Sequence, residues 1–199
     1  MQAGSVQKAS FYVFLGMLCI SINDLFVKQF SKNYPLHEII FIRSLIAILF
    51  TLLLVKSEGG LKILKTQKPI QHALRAVAIF LCNMIFFSAI ATLPLATATA
   101  LFFVAPIFIT LLSIPLLGEK VGIRRLLAVI TGFLGVFIMM KPNTWSMSDI
   151  PPFIYFLPVI AAVLYALMQI MTRKLSKSSK PAALAFNIQL TFVVFSLIF

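Results

Sequence analysis

Seven runs of about 20 mostly apolar residues follow one another along this 199-residue chain, with short polar connectors between them. They are Phe11–Phe30, Leu36–Val55, His72–Leu93, Leu95–Leu117, Ile123–Met140, Ile154–Thr172 and Ala182–Phe199. A helix needs about 20 residues to cross the hydrocarbon of a bilayer. Inside that layer only helices and closed barrels satisfy every backbone polar group. A barrel strand alternates apolar and polar residues, whereas these runs are continuously apolar. The sequence therefore predicts an all-α polytopic membrane protein with about seven transmembrane helices. Only 11% of residues are charged, against about 25% in soluble domains, so lipid and not water must solvate most of the surface. The first run has no small-residue cleavage site and continues through Asn23 and Asp24, so it reads as a retained span and not as a signal peptide.

The net charge of +12 would suggest a nucleic-acid partner in a soluble protein. Its distribution gives another cause. With the N-terminus in the cytoplasm, thirteen of the 17 Lys and Arg fall on the inner side: Lys8, Lys56, Lys62, Lys65, Lys68, Arg75, Lys120, Arg124, Arg125, Arg173, Lys174, Lys177 and Lys180. Lys28, Lys32 and Lys141 fall outside, and Arg43 lies within a span. This bias orients a multi-pass membrane protein with its N-terminus in the cytoplasm by the positive-inside rule, and no nucleic acid is needed to explain it. Trp145 and Tyr34 fall at the outer interface, where amphipathic rings are favoured.

Cys19 and Cys82 lie inside apolar runs and read as reduced packing residues, and no Cys/His cluster has zinc spacing. The sequence thus calls for no metal and no cofactor. It also carries no nucleophile-elbow, His-Glu-x-x-His or paired intramembrane aspartate pattern, so no catalytic residue is assigned.

An internal repeat organises the chain. VKQFSKNYP (Val27–Pro35) aligns with TRKLSKSSKP (Thr172–Pro181) with one inserted residue. The alignment sets Asp24 opposite Gln169 and Arg43 opposite Gln189. Five spans separate the copies, so the second enters the membrane from the opposite side, as in inverted-repeat transporters. Residues 1–142 form a first five-helix unit, and 150–199 begin a second, inverted one. The last run stops without a polar flank. The chain reads as a fragment of a ten-helix protein, with a natural short form as the alternative.

Ionisable groups within a membrane need a reason to be there. Asp24 lies six residues from the outer end of span one and Arg43 seven from the outer start of span two. Both therefore sit roughly 10 Å below the outer boundary. They read either as a structural ion pair, with Lys28 an alternative partner for Asp24, or as substrate-binding groups lining an outward-facing cavity. Asn83, Tyr165 and Gln169 are the further candidates for its wall, and Asn23, Asn187 and Gln189 complete the mid-span polar set. Each is equally suited to gluing helices together. Pro94, Pro106 and Pro115 bound or interrupt span four. Pro106 is the expected helix kink beside the cavity. Gly132 and Gly135 mark close helix approach.

The segment ATLPLATATALFFVAPIFITLLSIPLLGEKVGIRRLLAVITGFLGVFIMMKP (Ala91–Pro142) resembles the EamA-type core of the drug/metabolite transporter superfamily. The matching features are the small-residue helix entry, Pro106, Leu-Gly-Glu at Leu117–Glu119 and a glycine-bearing helix ending before Lys-Pro. Span two, with Phe41 and Arg43, and span one, with Asn-Asp ahead of Lys28, are similar to the family too. The resemblance implies ten helices in two inverted five-helix units that move a small metabolite across the bilayer by alternating access. The Asn-Asp…Lys entry looks most like the S-adenosylmethionine uptake branch, then riboflavin-type importers. The implied partners are a small-molecule metabolite, the lipid bilayer and a second copy in a homodimer. A channel or a non-transporting assembly protein is the alternative, although no ring of charge or filter loop is visible.

Overall fold

The computed structural model describes residues 3–64, 69–119, 122–140, 150–176 and 179–197, and among them every regular element is a helix. The long helices are α1 (Ala3–Phe30), α2 (Leu36–Glu58), α3 (Pro69–Thr92), α4 (Leu95–Phe102), α5 (Ala105–Leu117), α6 (Ile123–Met140), α7 (Leu157–Leu175) and α8 (Pro181–Ser196). Short 3₁₀ turns cover Gly60–Leu64 and Pro152–Phe156. Five stretches are long and apolar enough to cross a membrane: Ser10–Phe30, Leu36–Glu58, Pro69–Thr92, Leu95–Leu117 and Pro152–Leu175. The apolar α6 has 18 residues and α8 has 16. The chain is an all-α polytopic membrane protein. The expectations for Lys65, Lys68, Lys120, Lys141, Trp145 and Lys177 fall outside the described residues.

Proline sets several helix starts. Pro35 and Pro94 hold extended backbone just ahead of α2 and α4, and Pro181 opens α8. At those places a missing N–H costs nothing, because the first helical N–H groups have no intrahelical acceptor. Gly118 ends α5 with φ +69, and its N–H bonds to Ile114 O and Ser113 O, the left-handed closure that glycine adopts without strain.

Span four is broken at Phe103–Val104, directly before Pro106. Proline offers no N–H to the carbonyl four residues back and crowds it. The chain passes the break on i→i−3 bonds, Val104 N–H to Leu101 O at 3.3 Å and Ile107 N–H to Val104 O at 3.0 Å. Pro106 itself lies in the first turn of α5. Pro115 lies inside α5 without ending it.

The bundle is built on two pairs, α3 with α7 and α2 with α8, and α5 also packs on α7. The main core joins Phe80, Phe86, Phe87 and Ile90 of α3 to Ala161 and Met168 of α7 and Phe192 of α8. Ala161, Ala162 and Ala166 are fully buried, and their small side chains let the neighbours of α7 come close. Gly132 of α6 does the same, since a Cβ there would stand 2.9 Å from Ile107 Cδ1. A Cβ at Gly135 would meet nothing within 4 Å, so close approach does not explain that glycine among the described residues. α1 buries a single described side chain, Val27, and presents Phe11, Tyr12, Phe14 and Phe26 outward. That is a surface for lipid, not water.

Contacts sort the helix ends into two groups. At one end Lys28 Nζ donates to Leu93 O at 2.7 Å and to Ala91 O at 3.4 Å, capping the C-terminus of α3. The other end gathers the connectors that the sequence assigns to the cytoplasm. Lys180 Nζ bonds to Glu58 O, Ala182 N–H reaches Glu58 Oε2 at 3.4 Å, and Arg173 pairs with Glu119 at 3.6 Å.

Arg75 belongs to this second end but is no solvated connector cation. It is 3% exposed, with Nε donating to Thr172 Oγ1 at 2.7 Å and Nη1 to Leu184 O at 3.2 Å. His72 lies one turn earlier, with Nε2 3.1 Å from Ser179 Oγ and Nδ1 3.2 Å from Asn187 Nδ2. Together these bonds tie α3 to α7 and α8.

Arg75→Ala removes two charge-assisted bonds, each worth about 1.5–3 kcal/mol. It should lower stability in detergent by about 3 kcal/mol, read as a lower thermal unfolding midpoint. Thr172→Val, which keeps the bond to Leu184, should cost less; an equal loss would show that the Leu184 bond contributes nothing.

Candidate functional site

The tight Ser31–Pro35 connector returns the chain from α1 into α2, which brings Asn23 and Asp24 beside Arg43. Ser31 Oγ bonds back to Lys28 O at 3.0 Å at this corner. Lys28 itself is spent on the α3 carbonyls and is not the partner of Asp24. Among the described residues Asp24 and Arg43 form no direct ion pair either. The side chain between them is Asn23. Its Nδ2 donates to Asp24 Oδ1 at 3.2 Å, and its Oδ1 accepts from Arg43 Nη1 at 3.4 Å. One carboxamide thus bridges the acid and the base.

Aromatic rings complete the setting of Arg43. Its guanidinium carbon lies 5.2 Å from the Phe87 ring centre on α3 and 5.6 Å from that of Phe192 on α8. Both rings are buried, at 2% and 3% exposure. A guanidinium held over ring faces gains electrostatic attraction without using its N–H groups. Four helices, α1, α2, α3 and α8, therefore meet at this one cation.

The arrangement leaves bonding capacity free. A guanidinium has five N–H donors and a carboxylate about four acceptor positions. Arg43 uses one donor and Asp24 one acceptor among the described bonds. A small solute with a donor or cationic group and an acceptor or anionic group has both complements at hand.

The remaining candidates divide. Asn83 is four residues before Phe87, hence on the same face of α3, but its Nδ2 donates to Ile79 O of its own helix at 2.9 Å. Tyr165 and Gln169 pair with each other on α7, Gln169 Nε2 to Tyr165 Oη at 2.6 Å. No described contact joins them to Asn23, Asp24 or Arg43. A run of rings lies between the two groups: Phe87 to Phe86 at 6.3 Å, Phe86 to Phe102 at 4.8 Å and Phe102 to Tyr165 at 5.4 Å. Pro106 sits just past Phe102, where the break in span four turns this wall.

Sequence reasoning missed Phe87, Phe192 and the bridging role of Asn23. The one available signal was Arg43 itself, because an intramembrane guanidinium must find partners on several helices.

The chain is similar to proteins of known name. It is 29% identical to the S-adenosylmethionine uptake transporter of Rickettsia prowazekii (strain Madrid E), over 80% of this chain and 53% of that protein. It is 31% identical to the riboflavin transporter of Vibrio cholerae serotype O1, over 97% of this chain and 64% of that protein. The riboflavin transporter of Brucella anthropi is 32% identical over 76% of the chain and 51% of that protein. The chain thus spans between about half and two thirds of the length of these curated relatives. No solved structure matches it. Residues 7–141, from the start of α1 through the end of α6, match the EamA-like transporter family, and the chain belongs to that family.

Proposed function

We propose that this chain forms part of a secondary transporter that moves a small polar metabolite across the bacterial inner membrane by alternating access. One observation carries the reading: a guanidinium and a carboxylate, bridged by Asn23 and held by four helices, keep most of their hydrogen-bonding capacity inside an apolar bundle. Groups with a purely structural task would be expected to saturate one another there. Asp24 takes a cationic or donor group of the solute, and Arg43 takes an anionic or acceptor group.

The relatives supply the substrate class. S-Adenosylmethionine carries cationic centres and a carboxylate, and riboflavin carries hydroxyls and an imide. Both are small polar metabolites with a heteroaromatic ring. In this reading α1–α6 belong to a first five-helix unit, with α4 and α5 as its fourth helix. α7 and α8 open an inverted second unit, and the N-terminus is cytoplasmic. The matching Ser-Lys…Pro connectors before α2 and α8 support that arrangement.

Two measurements test the proposal. Asp24→Asn, at unchanged protein level, removes the charge from a charge-assisted contact worth about 1.5–3 kcal/mol, a loss of roughly 10- to 100-fold in affinity. Uptake of labelled S-adenosylmethionine or riboflavin into cells making the protein should fall accordingly; undiminished flux removes Asp24 from the site. In a chain with Cys19 and Cys82 replaced, single cysteines at Lys62 and Lys174 should react with an impermeant thiol reagent from the cytoplasmic side only. A cysteine at Lys32 should react from the opposite side. Labelling of Lys62 and Lys174 from different sides would overturn the topology.

A further inference from the structure

Gln189 is a mid-membrane polar side chain to which the fold gives no bond; the buried hydroxyls of Ser44 and Ser196 are the other unpartnered side-chain atoms among the described residues. The Oε1 of Gln189 is buried and has no hydrogen-bond partner in the structure, and its Nε2 makes no described bond. The other polar groups on this part of α8 are accommodated: Asn187 Nδ2 meets His72 Nδ1 at 3.2 Å, and Thr191 Oγ1 donates to Asn187 O at 2.8 Å. An amide carbonyl without a partner is costly away from water. Such a group in a native bundle calls for an explanation outside the protein's own bonds.

Its position suggests one. Gln189 precedes Phe192 by three residues, so the two side chains are neighbours on one face of α8. Phe192 is the ring that lies 5.6 Å from the Arg43 guanidinium carbon. Gln189 is thereby a neighbour, along α8, of the ring that faces Arg43. The alignment of the two copies of the repeat sets Gln189 in the place that Arg43 holds in the first.

We propose that Gln189 is a specificity-determining residue of the same site, where its carboxamide reads the edge of a heteroaromatic ring. The inference rests on the substrate-binding role given above to Asp24 and Arg43. A carboxamide presents one acceptor and one donor side by side in a plane. Its complement is a planar edge with an N–H next to a lone pair. The amino group and ring nitrogen of an adenine form such an edge, and so do the N–H and C=O of a flavin imide. The buried rings of Phe87 and Phe192 make the surroundings aromatic, which suits a flat ring better than an aliphatic amide.

The test is equilibrium binding to the full-length chain in lipid nanodiscs, with four probes. These are S-adenosylmethionine, its counterpart with the adenine amino group dimethylated so that the edge has no N–H, riboflavin and 3-methylriboflavin. The wild-type chain should bind one parent ring at least tenfold more tightly than its edge-altered counterpart, and the pair that discriminates tells adenine from flavin. Gln189→Leu should bring that ratio close to one. Gln189→Met, nearer in shape, serves if the leucine variant does not fold and should give the same result. An unchanged ratio in the folded variant, with Asp24→Asn weakening binding at least tenfold, overturns the role of Gln189 and leaves the site standing. Equal binding of parent and altered rings by the wild-type chain overturns it too. Binding of none of the four overturns both this inference and the site beneath it.

Discussion

In hydrocarbon no water stands ready to bond a stray polar atom, so each one must find a partner within the bundle. Much of this structure follows from that demand. Hydroxyls inside the spans turn back onto their own helices: Thr51 bonds to Ala47 O and Ile48 O, Ser88 to Met84 O and Thr110 to Pro106 O. Lys28 supplies donors to the carbonyls that end α3. Arg75 does the same across helices, meeting a hydroxyl of α7 and a carbonyl of α8. Against this background the spare capacity of Asp24 and Arg43 and the unbonded amide of Gln189 are departures, as are the buried hydroxyls of Ser44 and Ser196, which have no partner among the described residues.

The two ends of the bundle are held differently. The end with Arg75, Glu58, Glu119 and Lys180 is laced by polar contacts between the helices before and after the connector that precedes α7. Near the opposite end Lys28 caps α3, and Ile150, Ile154, Tyr155 and Leu157 pack against the core built on α3. Apolar packing slides and re-forms at little cost, whereas buried directional bonds must be broken outright.

How much of the site was legible depends on how far apart in sequence its parts lie. Asp24 and Arg43 flank one tight connector, so counting residues on antiparallel helices set them at one depth. That count did not reveal that Asn23 stands between them, because which face a residue presents depends on helix rotation as well as depth. Phe87 and Phe192 lie on other helices, and in a chain with 20 phenylalanines no spacing marks them out from packing residues. Arg75 was counted among the inner-side cations at the start of the span His72–Leu93, but that count did not reveal that the side chain is buried between α7 and α8. Tyr165 and Gln169 share a face of α7 at i and i+4, yet they bond to each other and sit beyond a row of rings from Arg43.

The sequence by itself determined the solvent, the class of structure, the kink before Pro106 and the sorting of connectors between two ends. Apolar run length, proline placement and cation bias act locally and need no knowledge of neighbours. Only the tertiary structure decided which polar groups are satisfied and which remain free. Hydrogen bonds and ring contacts between helices depend on rotation and approach to within a few ångströms, which the pairing of α3 with α7 and α2 with α8 sets and no linear pattern encodes.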